Sequence, residues 1–295
     1  MLDLVRVAGP VFSIVLGYAA GLEFAQREGE KMSWNPAQYL KYASERLRPA
    51  LDLIARIPVA APRTIVDLGC GAGNVTRLLA ERWPQARIVG VDNSAPMLAR
   101  ARTSAAANGQ HEWIEADLAE WAPREPADIV FSNAALHWHD DHAALFPRIF
   151  GWVAPGGALA VQMPDQFAAP SHLALAAVVA DARWRDRLGH LVRRTPVGPA
   201  VGYFRLLAGS AQEVDLWTTE YLHVLPASSG GEHPVVAWTR GTALTPFLAA
   251  LDEEAQRAFI GDYAARVAPA YPPLPDGRVL FSFRRVFVVA LRAMR

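Results

Sequence analysis

Six consecutive residues, His137-Trp138-His139-Asp140-Asp141-His142, gather three imidazoles and two carboxylates, the ligand types that zinc or iron takes. Further upstream, VDLGCGAGN (66–74) sets three glycines, Gly69, Gly71 and Gly73, behind an acid, Asp67. Glycine at these positions serves three needs: a sharp turn, bare backbone where a ligand approaches, and close packing of the next helix. The first stretch suggests a metal site and the second a nucleotide site. The flanking elements decide how far either reading goes.

The glycine loop has the required surroundings. TIVDLG (64–69) is a short apolar run that predicts a strand, and Val75 to Trp83 predicts a helix ended by Pro84. The next predicted strand, ARIVGVDNS (86–94), carries Asp92 nineteen residues beyond Gly73, with Asn93 beside it. A carboxylate there can accept both hydroxyls of an adenosine ribose. Dinucleotide loops read G-x-G-x-x-G, whereas this chain reads G-x-G-x-G with Asp67 two residues earlier. A carboxylate beside the loop repels a pyrophosphate but suits a ligand carrying an ammonium and a sulfonium. Asp117, at the end of the third strand, can accept from an adenine amino group while Leu118 offers its backbone N–H. Asn133, ending the fourth strand, can hold the methionine portion. Each residue alone could equally cap a helix or end a strand. Together they point to S-adenosyl-L-methionine, with S-adenosyl-L-homocysteine as product, rather than to a dehydrogenase cofactor.

The elements that must hold these residues alternate. Apolar residues at Leu40, Ala43, Leu47, Ala50, Leu51, Ile54 and Ile57 predict a helix interrupted at Arg48-Pro49. Strands follow at 64–69, 86–94, HEWIEAD (111–117), ADIVFSN (127–133) and ALAVQMP (158–164), with helices between them. This rhythm predicts an α/β, doubly wound, Rossmann-like sheet of seven mainly parallel strands. EVDLWTTEYLHVLP (213–226) and RVLFSFRRVFVVALR (278–292) are expected to complete it as an antiparallel pair. The helical segments 166–212 and 227–277 have no place in the sheet, so a cap over its C-terminal edge is expected, where a substrate enters. Residues 32–165 then form the cofactor-binding half.

Composition limits the partners. Basic and acidic residues number 29 each, so no global field favours nucleic acid or an anionic membrane. Lysine occurs only at Lys31 and Lys41, leaving 27 arginines, the better residue for bidentate carboxylate recognition. Cys70 is the only cysteine, which excludes an internal disulfide and a cysteine-rich metal site, and a cytoplasmic setting is expected. The uncharged run from Val7 to Leu22 has 16 residues, short for a membrane span. It reads as a weak signal peptide or as sequence upstream of a true start at Met32, and the second reading is expected, with residues 1–31 outside the core.

From Met32 onward the chain resembles the bacterial trans-aconitate 2-methyltransferases, a class I methyltransferase family. MSWNPAQYL, SERLRPALDLIARIP, VDLGCGAGNVTRLLAERWP, FSNAALHW, PGGALAVQMPD and EVDLWTTEY carry the likeness. The resemblance implies transfer of a methyl group to a carboxylate of trans-aconitate or a related small polycarboxylate, giving a monomethyl ester. A carboxylate is already ionised at pH 7, so no general base is required; alignment and desolvation are. His137 and Trp138, on the loop above the fourth strand, are expected to face the acceptor. Tyr203, and Arg284 or Arg285 with Arg284 placed first, are the leading polycarboxylate ligands, and at most one of the two arginines can point inward. Trp34, Tyr39 and Arg46 could close over the cofactor. The basic run Arg183 to Arg194 is expected to be a solvated face. Asp140 or Asp141 is placed to cap the helix that follows, leaving His139 and His142 on its surface, and no metal is expected. A methyltransferase for another small acid, hydroxyl or amine, and a non-catalytic binding module, are the alternatives. A monomer binding neither nucleic acid nor membrane is expected.

Overall fold

The computed structural model describes residues 47–104, 110–192, 196–227 and 230–294. The expectations for residues 1–31 and for Trp34, Tyr39 and Arg46 lie outside the described residues.

Seven strands form one sheet in the order β3-β2-β1-β4-β5-β7-β6. They are β1 (Thr64–Leu68), β2 (Arg87–Asp92), β3 (His111–Glu115), β4 (Ala127–Asn133), β5 (Val153–Pro164), β6 (Glu213–Leu225) and β7 (Val279–Leu291). The first five pair in parallel, and β7 runs antiparallel to both β5 and β6. Strands β1 and β4 are buried almost throughout because helices cover both faces, which is why they read as continuous apolar runs. The fold expected from the alternation is the fold observed.

Helix α1 (Arg48–Ala55) precedes the sheet, and α2 (Asn74–Arg82), α3 (Ala95–Ser104) and α4 (His142–Phe150) lie between its strands. Later come α5 (Pro170–Val179), α6 (Ala182–Leu188), α7 (Ala200–Leu207), α8 (Pro234–Arg240), α9 (Thr245–Ala249) and α10 (Glu253–Val267). Asp141 caps α4, its carboxylate accepting the Ala144 N–H at 2.9 Å, where a negative charge also meets the helix dipole.

There are two hydrophobic cores. One lies under the sheet, around Val66, Leu68, Phe146, Val161, Tyr203 and Val288. The other joins Val178, Trp184, Val236, Phe259 and Tyr263 to Leu225, Val279 and Phe281. The hairpin explains the second. β7 pairs with β5 only from Leu291 to Arg285, whereas its pairing with β6 continues to Leu225–Val279. The overhanging end of the hairpin is the floor on which α5, α6, α8, α9 and α10 pack. Helix α7, although it falls within the segment 166–212, belongs to the core under the sheet through Tyr203 and Leu207.

Candidate active site

β1 delivers the glycine loop to the C-terminal edge of the sheet, and β2 holds it there. Gly69 and Cys70 donate their N–H groups to the Val91 carbonyl at 2.8 and 3.1 Å. Asp92 accepts the Gly71 N–H on one carboxylate oxygen at 2.8 Å and the Ser94 N–H on the other at 2.9 Å. A carboxylate has about four lone-pair sites, so Asp92 fixes the loop and keeps acceptor capacity. The motif spacing did not show this tie between strands.

The three glycines differ in what surrounds them. Gly69 sits at φ +70°, and a Cβ there would lie 2.1 Å from the Cβ of Ala135. Gly73, also left-handed, abuts the Trp113 ring of β3. Gly71, at φ +55°, has nothing within 4 Å of where its Cβ would stand. Its bare backbone faces a cleft of about 200 Å³ lined by the loop, Leu47, Asp67, Asn74, Val75 and Asn133.

Asp67 is 2% exposed, and its carboxylate accepts the Thr76 hydroxyl at 2.6 Å. Burial pushes its pKa up to about 7, the Thr76 bond works against this, and the Asp92 charge adds to it. Asn133, half-buried on the opposite wall, has an amide oxygen that is buried and without a partner. The next residue, Ala134, has φ 54°, a left-handed conformation costly for a residue with a Cβ. It sits where the chain must turn over the cleft.

The residues expected on the adenine side are held less tightly. Asp117 is exposed and its side chain accepts the Ala119 N–H at 2.8 Å. Leu118 is buried, and Arg148 donates to the Leu118 and Ala119 carbonyls. Asn93 is exposed.

On the acceptor side the structure redistributes the expected roles. His137 is half-buried with its ring 4.8 Å from that of Trp138, which is 62% exposed. His142, expected on the surface, is buried. Its Nδ1 lies 2.8 Å from the Tyr203 hydroxyl and its Nε2 3.0 Å from the Leu136 carbonyl. Since a carbonyl can only accept, Nε2 carries the proton and Nδ1 accepts from Tyr203. That hydroxyl in turn accepts the Gly198 N–H at 3.2 Å. Tyr203 is 2% exposed, and burial pushes its pKa up to about 12. It is a post joining α7 to α4 and to the Leu136–Trp138 turn, with its hydroxyl already engaged. The spacing of His142, Leu145, Phe146 and Ile149 was the available signal, since it marks the buried stripe of α4.

The two adjacent arginines of β7 exchange places relative to the expectation. Arg284 points outward and pairs with Asp165 at 3.2 Å. Arg285 is the inward one, 8% exposed. Its Nη1 donates to the Gln162 amide oxygen at 3.2 Å, and its guanidinium stands 4.6 Å from the Phe283 ring centre. Burial pulls its pKa down to about 10. Among the described residues it has no carboxylate partner, and its Nε and the Gln162 Nε2 have no partner at all. The arginines at 183, 185 and 187 pair with acids at the protein surface. Among the described residues no group of three His, Cys, Asp or Glu side chains could hold a metal, and no helix is long and apolar enough to cross a membrane.

This sheet order, with a glycine loop after its first strand and an acid after its second, defines a class I S-adenosylmethionine-dependent methyltransferase. Residues 65–157 match the family model described as "Methyltransferase domain". The fold is that of phosphoethanolamine N-methyltransferase 2 from Haemonchus contortus, at TM-score 0.51 and 16% identity over 90% of this chain and 62% of that one. The YcgJ protein from Bacillus subtilis shares it at TM-score 0.51 and 14% identity, over 83% of this chain and 98% of that one. More particular are the trans-aconitate 2-methyltransferases of Azoarcus sp. (46% identity over 88% of this chain and 99% of that protein) and Variovorax paradoxus (45%, over 88% and 98%). The chain belongs to the trans-aconitate 2-methyltransferase family.

Proposed function

We propose that the protein forms a monomethyl ester on a carboxylate of trans-aconitate or a related small polycarboxylate. The observation that carries this reading is an open cleft, walled by the glycine loop and Asn133, in a chain similar to enzymes of that name along 99% of their length.

The residues present fit S-adenosylmethionine. The bare backbone at Gly71 leaves a cradle that a Cβ would partly fill, and the Asn133 amide oxygen is a buried acceptor awaiting a donor. Asp92 has lone pairs left for ribose hydroxyls. Asp67 is a buried carboxylate whose ionised form a cationic ligand would favour. Asn93, Asp117 and Leu118 stand at the adenine end, and Trp34 and Tyr39 belong to the same reading. When bound, this cofactor supplies a methyl group on a cationic sulfur. The protein's task is then to align and desolvate an acceptor that is already ionised. His137 and Trp138 edge the acceptor space. The cap, comprising most of 166–212 and 227–277, serves to exclude water from the acceptor. A cytoplasmic monomer acting on a free small acid belongs to this reading.

The test is incubation of the full chain with methyl-labelled S-adenosylmethionine and a panel of trans-aconitate, cis-aconitate, citrate, isocitrate and fatty acids. Base-labile label on trans-aconitate is expected. No transfer to any polycarboxylate would refute the assignment.

A further inference from the structure

Most described arginines of this protein find an acid. Arg56 meets Asp215, Arg183 meets Asp262, Arg187 meets Asp252, Arg266 meets Asp181 and Arg284 meets Asp165. All of these pairs are at least partly exposed, where an ion pair contributes little. Arg285 is the reverse case. It is nine-tenths buried, where a carboxylate partner matters most, and among the described residues it has no carboxylate, its Nη1 bonding only the neutral Gln162. A buried cation without an anion is expensive, so the fold bears a cost here.

The surroundings show what would offset it. Gln162 is fully buried on β5, and its amide oxygen faces the guanidinium. The opposite amide orientation would set NH2 against a cation, so the chemistry fixes which end points where. The Gln162 Nε2 and the Arg285 Nε are therefore two buried donors without acceptors. Asp52 accepts the Tyr221 hydroxyl at 2.5 Å and among the described residues forms no ion pair with Arg285. Two free N–H donors beside a positive charge match the two oxygens of a carboxylate.

Position relates the pair to the cofactor cleft. Asn133 on β4 is the register partner of Gln162 on β5, and Gln162 is the partner of Phe287 on β7. Arg285 lies two residues from Phe287 and so shares its face. From Asn133 to the β7 strand is two strand spacings, about 10 Å, a distance that an arginine side chain and a short polycarboxylate can bridge. Arg285 is also the last residue of β7 paired with β5, at the point where the sheet ends and the cap floor begins.

Resting on the function proposed above, we propose that Arg285 and Gln162 anchor a second, non-reacting carboxylate of the acceptor. The anchor holds the reacting carboxylate toward Asn133 and selects di- and tricarboxylates over monocarboxylates. Arg285 and Gln162 are binding residues in this scheme and take no part in proton transfer.

Arg285→Met keeps the stem and removes the charge. KM for trans-aconitate is expected to rise on the order of 100-fold, with S-adenosylmethionine affinity unchanged. The preference for trans-aconitate over the monocarboxylate crotonate should disappear. Thermal stability should stay level or rise, because an uncompensated buried cation is gone. Gln162→Glu places a carboxylate beside Arg285 inside the protein, so this variant should fold, gain stability and lose polycarboxylate binding. Wild-type KM in either variant, or parallel loss on mono- and polycarboxylates, would overturn the proposal. Calorimetric binding of propane-1,2,3-tricarboxylate separates the two readings. If the wild type forms no ester yet binds this ligand, and Arg285→Met does not, the anchor stands while the reaction assignment falls. Equal binding by both removes the anchor and leaves the reaction untouched.

Discussion

Two regions at the C-terminal edge of the sheet are built in opposite ways. At the cofactor end, around β1 and β2, the protein satisfies its own polar groups: Val91 takes two loop N–H groups, Asp92 takes two more, and Thr76 donates to Asp67. On β5 and β7, where the proposed acceptor anchor stands, Arg285 and Gln162 are buried with donors left over. The first is preorganised by hydrogen bonds between neighbouring strand ends, made by backbone and carboxylate groups together. The second carries a buried charge with unused donors, and under the proposed anchor stability is given up for affinity.

The difference can be broken most severely at Gly69. Gly69→Ala forces a Cβ into Ala135 at a left-handed backbone position, and strain plus overpacking should cost about 2–6 kcal/mol in denaturant unfolding. Gly71→Ala meets open space and should cost only about 1–2 kcal/mol, yet weaken cofactor binding. Similar unfolding losses for the two would contradict the assignment of Gly71 to the ligand cradle. Asp92→Ala removes the acceptor of two loop N–H groups and should destabilise by about 1–3 kcal/mol for each one left unsatisfied. Calorimetry should show cofactor affinity falling with it; unchanged affinity would place the ribose elsewhere.

In the core under the sheet, Tyr203→Phe strips the partner from His142 Nδ1 and from the Gly198 N–H, at a cost of about 1–3 kcal/mol. His142 gives this network a pH signature. Burial lowers its folded pKa below the ordinary imidazole value of 6.5, so the unfolded chain binds more protons. Stability therefore falls as pH drops through 6.5 and below. His142→Asn should flatten that part of the profile between pH 7 and 5, measured by thermal unfolding.

The mildest effect belongs to Asp67. Its folded pKa of about 7 means that it is partly protonated near neutrality, and a bound cation favours the ionised form. Cofactor affinity should rise with pH up to about 7, by at most about tenfold per unit, and then level off. Asp67→Asn should lose that slope; an unchanged slope would assign the proton to another group.

How much was legible follows the same division. The strand at Ala127–Asn133, the Asp141 cap and the glycine loop could be read because each depends on neighbours a few residues apart. The hairpin completing the sheet was also readable, from the period-two pattern of 213–226 and the long apolar run of 278–292. Alternation established that Arg284 and Arg285 face opposite ways, but which one turns inward depends on the register of β7 against β5. Gln162 and Arg285 are 123 positions apart, and no local pattern links them. Tyr203 and His142 read as active-site and surface residues, yet the packing of α7 on α4 makes them one buried hydrogen-bonded pair.

By itself, then, the sequence determined the doubly wound sheet, the cofactor loop and the family, because strand period, glycine freedom and helix capping act over one or two turns of chain. Tertiary structure alone decided which arginine is buried without an acid and which hydroxyl is consumed by a histidine. Those outcomes depend on register and on desolvation, and both exist only once distant strands have met.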